Sequence, residues 1–573
     1  MSVPLKIGTE FLINSATNNS QNTPTAVTLT DGRFVVAWED WSGSGADRSF
    51  AGVKAQIFNA DGSRSGNEFL VNSTTYYSQG SPKLAALDDG RFIICYFDGS
   101  EMGGDASSAG IRAQIYDSNG SPEGTEFLVN TTTAGLQSSP VVTKLANGGF
   151  AIAWVDNSRS ADDAASYALR AQIFSADGSP SGSEFLVNTT TTGHQMDPAL
   201  VGLADGKFVA VWTDYSMTAG NQEGADIRAQ VFNADGSKFG SEWVVNATIP
   251  LPQLQPDIQV LANGNMIVVW QDLSLTGGDA SLASIKAQIL APDGTAIGSE
   301  ILVNTTTDDS QIEPVVAVLP DGRFVIVWQD YSWSGGDTSR YAIRAQVFLE
   351  DGTRQGDEFL VNTSTMESQK EPTITVLDEN RILIAWSDYS GATGDSSSDA
   401  IRGQIFDVTM EGKNIRGDAA INKLLGTDWD DSLAGLGASD QIFAADGDDF
   451  LFGGTGADRL FGGSGDDRLF GGAGRDELAG GADLDHFIFA SAAHAKGDRI
   501  KDFQRNVDKI DVSAFMEGGR YIGSAAFKKG VEDQIRYEKS KGLLSGDLNG
   551  DGRADWTLTL VNKAALTVAD FLF

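Results

Sequence analysis

The 573-residue chain has one cysteine, Cys95, so no disulfide can form within it and none staples the fold. Cys95 sits in an apolar strand-like run and reads as a packing residue. Histidine is almost as scarce, with only His194, His486 and His494. None of the three falls in a metal-ligand spacing such as HExxH or beside an evident nucleophile. GxSxG and P-loop patterns are also absent, so the sequence offers no recognisable catalytic motif. Basic side chains are few: 41 Lys and Arg stand against 78 Asp and Glu, for a net charge of −37. That balance excludes nucleic acid and anionic membranes as natural partners and favours divalent cations. No apolar run reaches the roughly 18 residues of a membrane-spanning helix, so no transmembrane segment is expected. The opening MSVPLKIGTEFLIN lacks a long apolar stretch, and no N-terminal signal peptide is expected.

What the chain has instead is repetition. The Asn closing each FLVN-like segment recurs every 58 residues, at Asn14, Asn72, Asn130, Asn188, Asn246, Asn304 and Asn362. An aromatic keeps the same step, from Trp38 and Tyr96 to Trp386, as does a Gln from Gln56 to Gln404. A fixed period of this size marks a repeat architecture. Within one unit the apolar period is two. VVAVLPDGRFVIVWQD (315–330) reads as two strands joined by Asp321-Gly322, and 341–362 as two more joined by Asp351-Gly352. Four short strands in each of seven units predict an all-β, seven-bladed β-propeller over residues 1–410. The segment 8–14, GTEFLIN, matches the fourth strand of a unit, whereas the seventh unit degenerates after 406. The N-terminal strand is therefore expected to complete blade seven and remove two open sheet edges. GDAAIN (417–422) is a poorer rival for that place.

Residues present in every blade read as packing residues, among them the Asp two after the aromatic, Asp40 to Asp388. Recognition is more naturally carried by what varies. The long loops on one face hold aromatics at Trp41, Tyr215, Tyr331, Trp333 and Tyr389, with acidic residues at Asp47, Asp105, Asp163, Asp279, Asp337 and Asp395. Aromatic rings beside carboxylates suit sugars, which offer an apolar face and hydroxyl donors. Trp41, Asp47, Tyr215, Tyr331, Trp333, Asp337, Tyr389 and Asp395 are the candidate ligand contacts. Asp and Gly are also ordinary loop residues.

From about residue 426 the period becomes nine. The aspartates fall at 431, 440, 449, 458, 467, 476 and 485, each followed two residues later by an apolar side chain. GGTGADRLF, GGSGDDRLF and GGAGRDELA are complete units; the first two, GTDWDDSLA and GLGASDQIF, are weak. This pattern resembles the GGxGxDxUx nonapeptide of the repeats-in-toxin (RTX) family, which implies a parallel β-roll filled with several Ca2+ ions over 426–489. The expected metal-binding positions are Asp440, Gly447, Asp449, Gly454, Gly456, Asp458, Gly463, Gly465, Asp467, Gly472, Gly474, Asp476 and Asp485. Glycine permits positive φ and turned-in carbonyls, and calcium takes carboxylate and carbonyl oxygens. Turns on one side of the roll lie two units apart, so Asp449 should face Asp467 and Asp458 should face Asp476. Carboxylates stacked about 5 Å apart repel by roughly 1 kcal/mol in water and several times that at a protein surface. The stack should therefore need the ion.

Residues 411–425 read as a linker. GDRIKDFQRNVDKIDVSAF (497–515) resembles the C-terminal domain of serralysin-type proteases, which implies a cap over 490–573. Within it, Asp547, Asn549, Asp551 and Asp555 occupy positions 1, 3, 5 and 9 of a DxDxDG-type loop, a candidate calcium loop in a β-hairpin or an ordinary turn. Position 12 is Leu558 where an EF-hand has Glu. The terminal Asp570-Phe571-Leu572-Phe573 resembles a type I secretion signal, which implies export through that machinery and an extracellular or cell-surface location. The proteases carry a zinc helix that this chain lacks, so the resemblance implies calcium binding and export but not proteolysis. The function expected is a secreted, calcium-dependent binder of polysaccharide or cell-surface glycan, adhesin- or lectin-like. The alternatives are a surface-layer or biofilm-matrix structural protein and an extracellular polysaccharide hydrolase or lyase. Near-equivalent blades suit repeated weak contacts to a polymer better than one catalytic centre.

Overall fold

A computed structural model describes the chain apart from residues 1–2, 44–49, 103, 106–107, 161–166, 219–223, 248–250, 276–277, 279–281, 335, 338–339, 392–398, 410–412 and 428. The chain divides into two compact units, Pro4–Thr409 and Met410–Phe573. Both are all-β: among the described residues the only helical element is the 3-10 turn Val568–Asp570, and no helix is long and apolar enough to cross a membrane.

The first unit is a propeller of seven four-stranded antiparallel sheets. In blade 1 the strands Gln21–Thr28, Phe34–Asp40, Gly52–Phe58 and Phe69–Leu70 follow one another from the axis outward. The Asp-Gly pairs close tight turns. At Asp321-Gly322 the glycine has φ +94°, a region that L side chains rarely adopt, and its N–H bonds the Leu319 carbonyl at 3.0 Å. The two middle strands of each blade, such as Phe34–Asp40 and Gly52–Phe58, are packed on both faces. The repeated aromatics Trp38, Tyr96, Trp154, Trp212, Trp270, Trp328 and Trp386 are wholly buried. Phenyl rings stack between neighbouring strands, as in Phe34–Phe58 with centroids 5.1 Å apart. Cys95 lies in this core, and burial pushes its thiol up to about 12.

The ring closes as expected. Leu5–Leu12 is the fourth strand of blade 7, antiparallel to Ala400–Asp407, with Leu12 opposite Arg402. Asn14 Oδ1 accepts the Ile401 N–H at 2.8 Å, a bond between residues 387 apart. Segment 417–422 takes no part in blade 7.

A buried polar chain repeats through the blades and explains the invariant positions. In blade 1 the Asn14 amide donates to Gln21 (3.0 Å), Gln21 donates to Asp40 (3.0 Å), and Lys54 bridges Asp40 (2.8 Å) and Glu68 (2.9 Å). Arg takes the place of Lys54 in other blades; Arg344 pairs with Asp330 at 2.6 Å and Glu358 at 3.0 Å. The glutamate also reaches the adjoining blade: Glu126 Oε2 accepts the Ser73 N–H at 2.8 Å. At the closure Glu10 accepts the Thr363 N–H at 2.9 Å. Buried charges here are paired and hydrogen-bonded, which is what their burial demands.

The second unit is a parallel β-roll continued by further strands. Two sheets alternate along the chain, and strands 18 residues apart pair in register: Leu451 with Leu469, Ile442 with Leu460. Leu433, Ile442, Leu451, Leu460, Leu469, Leu478 and Phe487 fill the space between the sheets and are fully buried. The segment expected as a linker is already part of the roll. Strands Asn414–Arg416 and Lys423–Leu425 pair with 432–434 and 441–443. The physical reason is the apolar spacing: Ile415 and Leu424 precede Leu433 by 18 and 9 residues and pack on the same core, although Lys413 and Asn422 stand where later units have the aspartate. At the far end Lys509–Asp511 and then Phe571–Leu572 extend one sheet, while Arg499–Ile500, Trp556–Leu560, Leu543–Asp547, Gln534–Glu538 and Arg520–Tyr521 extend the other.

Candidate calcium column and propeller face

From Asp440 to Asp485 each roll aspartate has one oxygen engaged and one without a partner. Asp467 Oδ1 accepts the Asp449 N–H at 3.0 Å, and Asp458 and Asp476 do the same for Asp440 (2.8 Å) and Asp458 (2.9 Å). The stacking of Asp449 with Asp467 and of Asp458 with Asp476 is the one expected. The other oxygen, Oδ2 of Asp440, Asp449, Asp458, Asp467, Asp476, Asp485 and Asp498, is buried with no hydrogen-bond partner. A buried carboxylate oxygen left bare is costly, and these side chains are at most 1% exposed. Burial drives the carboxyls up, with neighbouring aspartates adding to it: Asp449 and Asp485 to about 8, Asp467 to about 7, Asp458 to about 6.

The glycines make room for this arrangement. Gly447, Gly454, Gly456, Gly463, Gly465, Gly472 and Gly474 all have positive φ. A Cβ on Gly463 would lie 1.6 Å from the Ala445 carbonyl oxygen. The first glycine of each unit matters too, and sequence reasoning passed over it: a Cβ on Gly462 would lie 2.0 Å from Asp467 Oδ2, and one on Gly480 2.0 Å from Asp485 Oδ2. Among the described residues no group of three or more His, Cys, Asp or Glu side chains converges on one point. The donor set is instead a repeated bare carboxylate oxygen beside glycine backbone, and that fits a hard cation taking carboxylate and carbonyl oxygens.

The column has ends that the nine-residue period did not reveal. Asp431 is closed off by the chain itself: Thr427 donates its N–H to Oδ2 at 2.5 Å, and Lys413 donates to Oδ1. At the other end the cap supplies three more aspartates. Asp498 accepts the Asp476 N–H at 2.9 Å, Asp508 the Asp485 N–H at 3.3 Å, and Asp502 the Gly480 N–H at 3.2 Å. Burial raises Asp498 to about 8 and Asp508 to about 6. Their offsets of 22 and 23 residues, where the roll has 18, hide them from a period search. The signal available in the sequence was the apolar residue two after Asp498 and Asp508, Ile500 and Ile510.

The hairpin loop is different. Asp547 accepts the N–H groups of Gly550 and Gly552, both at 2.9 Å, and Asp555 accepts from Leu548 (2.7 Å) and the Asn549 amide (3.0 Å). Asn549 and Asp551 accept backbone N–H groups at 2.9 and 2.8 Å. These side chains build the turn and leave no bare buried oxygen of the kind the roll shows.

On the propeller face the candidates part company. Trp333 is 55% exposed and sits edge-on to Tyr331, with centroids 5.7 Å apart. Trp41 is 36% exposed and donates its indole N–H to Glu39 at 2.8 Å. Tyr215 and Tyr389 are half-buried. Asp337 does not face a ligand: it is buried and accepts the Asn362 amide at 2.8 Å, as Asp105 does from Asn130 at 3.0 Å. In these two blades the acid holds the amide of the repeated Asn. Asp47, Asp163, Asp279 and Asp395 lie outside the described residues. His194 packs edge-on to Tyr167 at 5.3 Å, and burial lowers the His486 imidazole.

A family model for the RTX calcium-binding nonapeptide repeat matches residues 416–451, 425–460 and 452–487. Residues 416–487 are RTX calcium-binding repeats. The RTX match begins where the strand pairing begins, inside the segment expected as a linker. No curated protein matches the chain. Among solved structures, a protein of unknown function from Dyadobacter fermentans shares 13% identity over 71% of this chain and 99% of its own, with a TM-score of 0.42. A Penicillium chrysogenum alpha-L-arabinanase complexed with arabinobiose shares 13% over 70% and 99%, TM-score 0.41. The NanB sialidase of Streptococcus pneumoniae shares 10% over 71% and 71%, TM-score 0.38. At this level of similarity none of them bears on what this chain does.

Proposed function

We propose that this is a secreted, calcium-dependent protein whose propeller binds extracellular or cell-surface polysaccharide without cleaving it, and whose RTX roll folds on calcium after type I export. The observation that carries the calcium half is the set of seven buried Oδ2 atoms without a hydrogen-bond partner. In the calcium-poor cytosol they oppose folding; outside, where calcium is plentiful, the ion satisfies them, so that binding and folding are one equilibrium. The terminal residues fit the same sequence of events. Phe571 is buried, stacked on Phe573 at 5.6 Å, and Asp570 accepts the Asn506 N–H at 2.9 Å. A signal built into the folded sheet is legible to an export machine only before the roll forms.

The binding half rests on exposed rings on the long-loop face, with Trp333 the most open of the candidates and Trp41 beside the Glu39 carboxylate. Co-sedimentation of the full chain with acidic, neutral and amine-bearing polysaccharides, in calcium and in chelator, tests it. Retention on at least one polymer in calcium, with no release of reducing ends or unsaturated products, is the expected result. Release of such products makes the protein an enzyme, and failure to bind any polymer removes the reading.

A further inference from the structure

The seven innermost strands share a departure from regular geometry. Each has a register shift near its start, and the residue in the bulge lies at positive φ without being glycine: Thr23, Ser81, Ser139, Asp197, Gln255, Glu313 and Glu371, at 50–54°. The bulges sit beside the long-loop ends of the strands, around the axis. In blades 1 to 3 they carry small hydroxyls. In blades 6 and 7 they carry Glu313 and Glu371.

The neighbours of these two glutamates also break the repeat. Lys370 replaces Asn22, Gly80, Ser138, Met196, Leu254 and Ile312 at the same position in the other blades. Tyr341 stands where blades 1, 2, 4 and 5 have alanine. The Lys370 ammonium lies 4.9 Å from the centre of the Tyr341 ring and 5.3 Å from that of Tyr389. Tyr341 packs on Tyr331 at 4.6 Å, and Tyr331 leads to the exposed Trp333. Glu371 is fixed by the Thr23 N–H and the Ser387 hydroxyl, each at 2.8 Å. Glu39 of blade 1 accepts the Ser81 N–H at 3.3 Å and the Trp41 indole N–H at 2.8 Å, and Glu313 accepts the Gln329 amide. Burial raises the carboxyls of Glu39 and Glu313, and the proximity of Glu371 raises both further.

We infer that this side of the axial mouth, from blade 6 through blade 7 to blade 1, is a binding site for an amine-bearing sugar unit, with Glu39, Glu313 and Glu371 receiving its ammonium and hydroxyl groups and the Tyr341 and Tyr389 rings receiving its face. The inference deepens the polysaccharide reading and rests on it. Glu371 repels both Glu39 and Glu313, and of the two only Glu313 feels the Lys370 charge, so a ligand that brings positive charge relieves their repulsion and a neutral glycan does not. The two tyrosine rings already hold an alkylammonium, which shows that their faces accept one. Trp41 and Trp333 supply apolar surface at the rim for the next sugar.

The test is calorimetric titration of the full chain in calcium, at mildly acidic pH, with a glucosamine oligomer, its N-acetylated form and a neutral glucan oligomer. The glucosamine oligomer is expected to bind at least about tenfold more tightly than the other two. E371Q and E313Q are each expected to weaken it by about tenfold while leaving the thermal midpoint of the propeller in place. K370M is expected to tighten it, because the competing ammonium leaves both rings; a merely structural lysine would give weaker binding or none. Unchanged binding in E371Q and E313Q, or weakened binding in K370M, overturns the site. Preference for the acetylated or neutral oligomer overturns the amine chemistry and leaves the polysaccharide reading standing. No binding of any oligomer, with no polymer retained in co-sedimentation, overturns both.

Discussion

A single oxygen atom decides how each roll aspartate behaves. Asp467 holds the Asp449 N–H with Oδ1 and leaves Oδ2 buried and bare. Asp467→Asn is therefore expected to act in opposite directions in two conditions. In chelator it removes a buried charge and stabilises the metal-free roll; in calcium it removes a ligand and costs about 1–3 kcal/mol, read as a shift in the calcium midpoint by circular dichroism. Equal destabilisation in both conditions would mean that Oδ2 is not a ligand. Gly462→Ala is expected to cost calcium affinity as well, because the added Cβ would lie 2.0 Å from Asp467 Oδ2.

The same carboxyls set a pH dependence. Their folded values, about 8 for Asp449, Asp485 and Asp498, about 7 for Asp467 and about 6 for Asp458 and Asp508, lie above the ordinary 3.8. A carboxyl raised on folding binds its proton more tightly in the folded state. Its contribution is then fully present below the ordinary value and lost as pH rises through 6 to 8. In chelator the roll should gain structure when pH is lowered from about 8 to about 5. In calcium, near-neutral pH should have little effect. A metal-free roll that loses structure on acidification over that range would contradict the assignment.

At the scale of elements, the propeller rests on closure and the roll on stacking. Glu10 ties the N-terminal strand to both neighbours, through Arg402 at 3.4 Å and the Thr363 N–H at 2.9 Å. Glu10→Gln is expected to lower the stability of the propeller by about 1–3 kcal/mol, measured as a calorimetric transition that does not move with calcium. Both repeats were legible because each places an apolar residue at a fixed step, and the closing strand because GTEFLIN copies a blade strand. The start of the roll was hidden because Ile415 and Leu424 keep the apolar step while Lys413 and Asn422 replace the aspartate that marks the motif. The cap aspartates were hidden because a turn-rich insertion moves Asp498 and Asp508 off the nine-residue step. Asp337 was misread for the opposite reason: loop composition signals exposure, and only the fold shows that the Asn362 amide lies behind it. The axial bulges were not legible, since nothing in a strand sequence announces a left-handed Glu371.

At the scale of the whole molecule, the two units answer to different conditions. The buried charges of the propeller are paired within its own Asn–Gln–Asp–Arg or Asn–Gln–Asp–Lys chains, as Lys54 pairs with Asp40 and Arg344 with Asp330. The roll has its apolar core in place but a column of bare oxygens along it. Hydrogen exchange over the full chain at neutral pH, in chelator and in millimolar calcium, tests this division most directly. The account predicts that strands 21–407 are protected in both conditions, while 440–511 exchange freely in chelator and become protected together in calcium. Protection of 440–511 in chelator equal to that in calcium would contradict it.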